Sequence, residues 1–338
     1  DKFRPSDKEI KRALKKKKGS NLIYFGPGVH NLPNDTLFVP SGTTVYIDGG
    51  ARVYGNIFTE GAHDVNIFGR GEVHPDGRGA GVWVRRSKNV RIDGIVVSQL
   101  PIGQCDSVEL TNVKSISYYG WGDGMDVFSS SNVILDGVFC RNSDDCTAVY
   151  ASTQGFKGGS NNVLVKNATL WADVAHPINI GGHGDPNGMD TVQNVTFRNI
   201  DILDQAEKQI DYQGCLAINP GDNTLVRNIT FENIRIEDFR NGQLVNFRIS
   251  FNPKYCVSTG RGIHNVLVKD VTYNGSGENL SIIAGYDENH KISGIRFVNL
   301  VVNGRKITDD MPGKPKWYKT GDMAGIFIGE HVENISFE

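Results

Sequence analysis

The amino-acid sequence predicts an all-β fold, a single-domain right-handed parallel β-helix of about ten coils. Three observations support this prediction: a strand motif that recurs at irregular intervals, a glycine-rich composition, and a helical segment before the first strand. The 40 glycines, against 12 prolines, are scattered along the chain, as expected for many tight corners. A chain of 338 residues is long enough for two domains, but a solenoid grows by adding coils to one core.

The strand motif alternates apolar and polar residues and stops at Asn, Asp or Gly. Examples are Lys88-Asn-Val-Arg-Ile-Asp-Gly, Ser131-Asn-Val-Ile-Leu-Asp-Gly and His264-Asn-Val-Leu-Val-Lys-Asp, each typical of a half-buried strand followed by a corner. The units recur every 20 to 40 residues, which favours constant strands with variable loops over the stricter period of a leucine-rich repeat. The residues predicted to point inward and stack are Val65, Val90, Val113, Val133, Val163, Val195, Ile229, Val266, Ile295 and Ile335.

The start of the chain is predicted to form a capping helix, since an uncovered first coil exposes strand edges that invite aggregation. Ser6-Asp-Lys-Glu9 has the pattern of a capping box. The helix is predicted to run from Ser6 to Lys18 and to end at a glycine, with Ile10 facing the first coil. We therefore expect a capping helix at residues 1–19 and a β-helix domain, carrying the active site, at residues 20–338.

Composition and charge argue against several classes of partner. The formal net charge is −2, so no basic field is available for nucleic acid. No apolar run approaches the ~18 residues of a transmembrane helix. The five cysteines lack zinc-ligand spacing, and Cys140 and Cys146 either bridge locally or are buried thiols. A polar start without a signal peptide is expected for a mature secreted or periplasmic protein, and we expect a monomer.

Several polar residues recur at nearly equal distances after the inward-pointing residue of their coil. Asp123, the pair Asp144 and Asp145, His176 and Lys208 follow these residues by 10 to 13 positions. Because coils stack with a rise of roughly 4.8 Å, equal offsets place these side chains on one line. Carboxylates one coil apart lie ~5–10 Å from each other, which suits the flanking of a glycosidic bond. Their proximity also raises the pKa of one of them.

A purely structural interpretation of these residues remains open. The Asp-Gly and Asn-Ser-Asp-Asp sequences are good corner sequences. Adjacent strand residues point to opposite faces, so Asp144 and Asp145 both face a cleft only where the chain bends. His176 could be a corner imidazole. Trp121 and Tyr150 lie near the same coils, where they either stack on sugars or cap coil ends.

At these residues the sequence resembles the β-helical inverting glycoside hydrolases, the clan of polygalacturonases and dextranases. Gly122-Asp-Gly-Met-Asp126 resembles the Asn-Thr-Asp-Gly-x-Asp motif of polygalacturonases, with Gly122 in place of the usual Thr. Ser143-Asp-Asp-Cys-Thr-Ala-Val149 resembles their Asp-Asp motif, and Gly182-His-Gly184 resembles their Gly-His-Gly motif. Their Arg-x-Lys motif has no convincing match on the next coil, where Glu207-Lys-Gln-Ile-Asp211 stands.

Over the whole length, the dextranase branch looks closer. Ile23-Tyr-Phe-Gly-Pro-Gly28 resembles its entry strand, and Asp144-Asp-Cys-Thr-Ala-Val-Tyr150 resembles its Asp-Asp-x-x-x-x-Tyr segment. His176-Pro-Ile-Asn-Ile-Gly181 resembles the Asp-Pro-Ile stretch that follows. The likeness covers most of residues 20–338 as a pattern, and the aspartates are its specific part.

The resemblance implies a role for each polar residue. Asp144 would be the general acid that protonates the leaving oxygen, and Asp123 and Asp145 would activate water on the opposite face, giving inversion. Inverting enzymes separate such carboxyls by ~6.5–9.5 Å, so we expect one pair at that distance. His183 or His176 would position the acid or a substrate hydroxyl.

The remaining expectations concern the substrate. The resemblance implies a polysaccharide and no metal or organic cofactor, and Lys208, Trp121 and Tyr150 are expected to contact the sugar. Without an Arg-x-Lys pair to hold a sugar carboxylate, we predict a neutral polysaccharide rather than a polyuronate. Two other functions fit the same solenoid: a polysaccharide lyase whose aspartates bind Ca²⁺, and a non-catalytic carbohydrate-binding solenoid.

Overall fold

A computed structural model describes residues 2–15, 20–276 and 278–338. Within these residues the helices are α1 Asp7–Leu14 and α2 Thr320–Met323, with a 3₁₀ turn at Ile210–Tyr212. The strands in chain order are β1 Leu22–Phe25, β2 Gly28–Phe38, β3 Thr44–Ile47, β4 Ala51–Glu60, β5 His63–Gly69, β6 Glu72–His74, β7 Val82–Arg85, β8 Lys88–Asp93, β9 Val96–Val97, β10 Ile102–Gly103, β11 Asp106–Thr111, β12 Lys114–Ile116, β13 Val127–Phe128, β14 Ser131–Asp136, β15 Phe139–Asn142, β16 Thr147–Tyr150, β17 Ser160–Ala172, β18 Ile178–Ile180, β19 Thr191–Asp204, β20 Leu216–Ile218, β21 Leu225–Ile236, β22 Gly242–Gln243, β23 Val245–Arg248, β24 Gly262–Tyr273, β25 Glu278–Asn279, β26 Ser281–Ala284, β27 Ile292–Val302, β28 Arg305–Ile307, β29 Ile326–Ile328 and β30 Val332–Phe337.

All the strands given above except β22, β25 and β28 form three ladders that wind around one core. The anchor ladder contains β1, β3, β5, β8, β11, β14 and then the first halves of β17, β19, β21, β24 and β27, ending with β30. The cleft ladder contains β4, β7, β10, β13, β16, β18, β20, β23, β26 and β29. The third ladder contains β2, β4, β6, β9, β12, β15 and the second halves of the long strands. Among the named strand pairs only β27–β28 is antiparallel, so the predicted right-handed parallel β-helix is confirmed.

The predicted inward-pointing residues are buried, apart from the half-buried Ile335 at the last coil. One position in the stack was wrong. Val90 pairs with Val108, and Val108 pairs with Val133, so Val113 lies beyond the anchor ladder although it is buried. The usual Asn before the stacked valine is replaced here by Ser107, which adopts the same left-handed conformation at φ 60°. The repeat is therefore present in the backbone where its sequence signature is lost.

Asparagine recurs in the motif because the backbone there is left-handed. Asn132, Asn162 and Asn194 have φ between 55° and 57°, a region that Asn tolerates better than most residues. The side chains also bond between coils, with Asn162 Nδ2 donating to Asn132 Oδ1 at 2.7 Å and Asn228 Nδ2 donating to Asn194 Oδ1 at 3.1 Å. These ladders pin the register of successive coils.

Helix α1 packs against β1 and covers the first coil. The predicted capping box is present: the Ser6 backbone N–H donates to Glu9 Oε2 at 2.8 Å. Ile10 is the buried residue of the helix. The helix ends at Leu14 rather than at Lys18, and residues 16–19 lie outside the described ranges. No helix within the described ranges is long and apolar enough to cross a membrane.

Candidate active site

A cleft of about 540 Å³ lies beside the middle of the cleft ladder. Its floor comes from the segments just before β13, β16 and β18, and its walls come from the loops that follow β16, β18, β19 and β23. The residues that line it are Trp121, Asp123, Phe128, Asp144, Asp145, Tyr150, Thr153, Gln154, Val174, Ala175, His176, His183, Glu207, Gln209, Tyr212, Lys254 and Tyr255.

The predicted aspartates and His176 stack on consecutive coils. The Gly124 N–H donates to the Asp145 carbonyl at 2.7 Å, and the Cys146 N–H donates to the His176 carbonyl at 2.8 Å. Gly124 permits this approach, because a Cβ there would lie 2.2 Å from the Cys146 carbonyl oxygen. The chain bends at Asp144, so Asp144 and Asp145 both face the cleft. The sequence predicted that both carboxyls would face one cleft only if the chain bends here.

Asp145 is held as a carboxylate by a buried ion pair. Its Oδ1 accepts from the backbone N–H of His176 at 3.1 Å and from Nδ1 at 2.7 Å, and its Oδ2 accepts from Tyr150 Oη at 3.0 Å and Asn179 Nδ2 at 2.8 Å. The other ring nitrogen of His176 donates to the Tyr212 carbonyl. Burial opposes both charges, but the pairing and these hydrogen bonds lower the pKa of Asp145 and raise that of His176. With both ring nitrogens bonded to acceptors, His176 is an imidazolium.

Asp144 has the opposite electrostatic environment. Burial and the neighbouring Asp145 charge together raise the pKa of Asp144 to about 7. Its Oδ1 accepts the backbone N–H of Asp145 at 3.1 Å. Two adjacent carboxyls are thus separated in function, one ionised and one able to keep a proton near neutrality.

Asp123 is paired with a further carboxyl, Asp126, to which the sequence assigned no role. Burial, followed by the charges of Asp145 and Asp144, raises the pKa of Asp123 well above its ordinary value. Burial and the charge of Asp123 also raise the pKa of Asp126, and the two carboxyls hydrogen-bond to each other. Asp126 is 3% exposed, so the pair keeps at least one proton at neutral pH.

The three predicted carboxyls lie closer together than expected. One oxygen from each of Asp123, Asp144 and Asp145 lies within 4.8 Å of the others, so the expected ~6.5–9.5 Å spacing is not found between their nearest oxygens. The reason is that two of them are neighbours in one coil and the third lies on the adjacent coil, one rise of ~4.8 Å away. Oxygens at this spacing are also able to ligate Ca²⁺, as the lyase alternative requires.

The other predicted residues are distributed unevenly. Trp121 lines the cleft with 79% of its surface exposed, and Tyr150 lies buried behind Asp145. His183 lines the cleft beyond β18, with its ring edge-on to Tyr150 at 5.1 Å, but the imidazole bonded to an aspartate is His176. Lys208 is exposed and is not among the residues that line the cleft.

Sequence reasoning missed several residues that line the cleft. Lys254 follows β23, and its Nζ donates to Gln209 Oε1 at 3.0 Å. Tyr255 stacks on Tyr212, with ring centroids 5.0 Å apart. The buried carboxylate of Glu207 accepts the Gln209 backbone N–H at 2.7 Å. Their loops vary in length between coils, so no constant offset pointed to them.

Comparison with known proteins identifies the family. The profile of glycosyl hydrolases family 28 matches residues 82–312, which is more than half of the chain and includes every residue that lines the cleft. The chain belongs to glycosyl hydrolases family 28. The resemblance inferred from the aspartate motifs is thereby confirmed at the level of the clan.

The curated relatives of this family 28 chain carry pectin-related names. It is 26% identical over 311 residues to the probable endopolygalacturonase D of Emericella nidulans, which covers 82% of this chain and 55% of that protein. It is 27% identical over 219 residues to the polygalacturonase of Juniperus ashei, which covers 61% of this chain and 39% of that protein. The chain thus spans about half the length of these relatives.

Solved structures agree on the fold of the family 28 chain. The Yersinia enterocolitica family 28 exopolygalacturonase superposes with a TM-score of 0.67 at 14% identity, covering 97% of this chain and 74% of that one. Dex49A from Penicillium minioluteum superposes with a TM-score of 0.61 at 14% identity, covering 94% of this chain and 60% of that one. Both likenesses concern the β-helix alone.

Proposed function

We propose that the chain hydrolyses glycosidic bonds of a polysaccharide, with aspartates as acid and base. The observation that carries this proposal is the adjacent pair in the cleft: Asp144, with a pKa raised to about 7 by burial and by Asp145, beside an Asp145 that is ionised by His176. Glycoside hydrolysis needs a protonated carboxyl and an ionised one on either side of the bond. Membership of glycosyl hydrolases family 28 supports the same reaction class.

In this mechanism Asp144 donates its proton to the leaving glycosidic oxygen. Asp123 orients and deprotonates the attacking water, while the fixed charge of Asp145 helps to keep the catalytic proton on Asp144. The proton on Asp126 bonds to Asp123 and so keeps a lone pair of Asp123 available as an acceptor. His176 does not touch the sugar in this scheme; it holds Asp145 in its charged state through the 2.7 Å bond to Nδ1.

The contacts of Asp145 favour inversion despite the short carboxyl spacing. A retaining enzyme needs a carboxylate oxygen free to attack the anomeric carbon. Both oxygens of Asp145 are engaged by donors from His176, Tyr150 and Asn179, and the residue is 6% exposed. Asp123, which accepts the proton of Asp126, is the carboxyl left to hold the attacking water. We therefore propose a single displacement by water, and proton NMR of the first-formed product anomer tests it, since retained configuration would contradict the proposal.

The charges in the cleft favour a neutral sugar at the cleaved bond. Among the described residues that line the cleft, Lys254 is the one lysine or arginine, whereas Glu207 and three aspartates are acidic. On the next strand of the cleft ladder, Ala217 of β20 is in register with Asn179 of β18, and neither side chain carries a charge. A sugar carboxylate would therefore lie among carboxyls with a single exposed ammonium to balance it, which costs ~1–3 kcal/mol of binding. The names of the curated relatives point instead to galacturonan, so the substrate is decided by experiment.

The test is reducing-end release from neutral glucans and galactans and from polygalacturonate, measured side by side. We expect faster release from a neutral polymer, no release by the Asp144→Asn variant, and little effect of Lys254→Ala. Preference for polygalacturonate that is abolished by Lys254→Ala would refute the charge argument. An unsaturated, ultraviolet-absorbing product that requires Ca²⁺ would show a lyase, and binding without cleavage would show a carbohydrate-binding solenoid.

We also propose that the protein acts outside the cytoplasm as a monomer. A polysaccharide outside the cell does not cross a membrane, so an enzyme that cleaves it acts outside the cytoplasm. Export in a fractionated culture, and the molecular mass by light scattering, test these two statements.

A further inference from the structure

A second cluster of chemically reactive side chains lies behind the part of the cleft wall that His183 lines. It consists of His183, Asp222 and Cys256, whose ligand atoms (one imidazole nitrogen, one carboxylate oxygen and the thiol sulphur) all lie within 4.8 Å of one another. The three residues follow β18, β20 and β23, which are consecutive strands of the cleft ladder. The stacking of coils brings the aspartates together just before the cleft-ladder strands, and it brings this cluster together just after them. Hydrolysis as proposed above uses none of the three in proton transfer.

Each member of the cluster is oriented by a second partner. Asp222 is 8% exposed, and its Oδ1 accepts the backbone N–H groups of Val257 at 2.8 Å and Ser258 at 3.3 Å. Its Oδ2 has no hydrogen bond among the residues that the structure describes. The Tyr255 backbone lies beside the His183 imidazole and interacts with it electrostatically.

The backbone around Cys256 is shaped to admit the sulphur. The Cys256 Sγ lies 3.1 Å from the Gly182 carbonyl oxygen. A Cβ on Gly221 would lie 2.2 Å from the same sulphur, so no side chain fits at that position. Cys256 is also the one partly exposed thiol of the five free cysteines, all of which the structure describes. Cys256 does not itself line the cleft, but His183 does, so an ion that reaches the imidazole from the cleft lies next to the sulphur.

We propose that His183, Asp222 and Cys256 form a binding site for Zn²⁺ or a similar borderline-soft divalent cation. Imidazole nitrogen, thiolate sulphur and carboxylate oxygen are the donors that Zn²⁺ takes in proteins, and three protein ligands with one open position are common. Bond lengths of ~2.0–2.3 Å place tetrahedral ligand atoms roughly 3.3–3.6 Å apart. The ligand atoms already lie within 4.8 Å of one another, so each pair closes by at most ~1.5 Å on binding. The thiol proton leaves to solvent when the sulphur binds the ion. The bonds of Asp222 to the Val257 and Ser258 amides are outer contacts of the kind that such ligands normally have.

A cation at this position would join the loops that follow β18, β20 and β23, of which the first and the last form part of the cleft wall. It would tie the segment that carries Tyr255 and Cys256 to the loop of His183. Because the ion binds the folded chain alone, it raises the midpoint of thermal unfolding in a concentration-dependent way. The proposal does not depend on which polymer is cleaved, or on whether any is.

The experiment is a titration of the chelator-treated protein with Co²⁺, followed by displacement with Zn²⁺. We expect one equivalent of Co²⁺ to give a near-ultraviolet thiolate-to-cobalt charge-transfer band that Zn²⁺ abolishes. The Cys256→Ala variant should lose the band, should bind Zn²⁺ at least about 100-fold more weakly, and should lose the Zn²⁺-dependent rise in unfolding midpoint. The matched control Cys105→Ala removes a buried thiol outside the cluster and should keep all three.

Three outcomes would overturn the proposal. The first is the lack of a charge-transfer band in the unmodified protein, and the second is a band that persists in Cys256→Ala. The third is one equivalent of bound Co²⁺ that gives no such band and is lost in Asp144→Asn, which would assign the ion to the aspartates. Asp222→Asn, which keeps the side-chain shape, serves as a second ligand variant and should also weaken Zn²⁺ binding.

Discussion

Replacing Asp144 by Asn removes one ionisable carboxyl from the cleft with little change in volume. Burial, followed by the charge of Asp145, raises the pKa of Asp144 from 3.8 to about 7. The folded chain therefore holds this proton more tightly than the unfolded chain does, and stability falls as the pH rises from the ordinary value through 7. Asn cannot ionise, so the variant escapes that loss. We expect Asp144→Asn to be more stable than the parent in alkaline solution while being far less active.

The size of the effect follows from the pKa difference. A difference of about 3 corresponds to about 4 kcal/mol of unfolding free energy once the carboxyl is fully ionised. Asp144 is partly exposed to the cleft, so water and counter-ions screen part of this, and we expect a gain of about 2 kcal/mol. Loss of a general acid lowers the rate of hydrolysis by roughly 10²–10⁴-fold. Stability and activity should thus change in opposite directions at one residue.

Urea unfolding at about pH 5 and about pH 8 measures the gain, because the penalty is only partly developed at the lower value and nearly complete above the raised pKa. The exposed Asp76 supplies a control, since Asp76→Asn should give the same difference from the parent at both pH values. A gain for Asp144→Asn that is equal at the two pH values, or that is negative at about pH 8, would show that the carboxyl is not held neutral by its surroundings. The assignment of Asp144 as the acid would then fail with it.

Three further predictions concern the same cleft. The value of kcat/KM should decline above a pH of about 7, because Asp144 loses its catalytic proton there. A variant that changes the surroundings of Asp144 but keeps wild-type-like activity should shift the pH of this decline, and an unshifted decline would argue against this cause. His176→Ala should destabilise the fold by about 3–5 kcal/mol in urea unfolding at neutral pH, because the buried Asp145 charge loses its partner, whereas a loss below about 1 kcal/mol would contradict the ion pair. Trp121→Ala should raise KM roughly fivefold with kcat nearly constant, since its exposed ring offers stacking energy of about 1 kcal/mol, and an unchanged KM would place the polymer elsewhere.

The β-helix could be predicted from the sequence because its coils repeat the same local physics. Every second strand residue is apolar and points inward, and Asn occupies the left-handed corner, so most coils are recognisable from the sequence. The error at Val113 arose where Ser107 replaces that Asn. The predicted stacking of Asp123 on Asp145 is nevertheless present. The loops differ in length before the cleft strands begin, but β13 and β16 remain in register.

The walls of the cleft could not be predicted in the same way. An equal offset placed Lys208 in the site, but the loop between β19 and β20 contains a 3₁₀ turn, and it is Glu207 and Gln209 that line the cleft. Lys254 lies in a loop with no counterpart of equal length on other coils. The motif Gly-His-Gly pointed to His183, whereas the register of β16 and β18 places His176 on Asp145. Local motifs identified residue types, and strand register decided which of them meet.

The stacking itself explains why these carboxyls differ. Coils that rise by ~4.8 Å bring acidic residues from adjacent coils too close for all of them to ionise. His176 supplies one imidazolium to this group, and its contacts with Asp145 decide which carboxyl takes the charge. Once Asp145 is ionised, its field adds to burial in keeping the protons on Asp144 and on the Asp123–Asp126 pair. The division into acid and base is therefore set by one histidine on the following coil, which is why its removal should disturb protonation throughout the cleft and not at Asp145 alone.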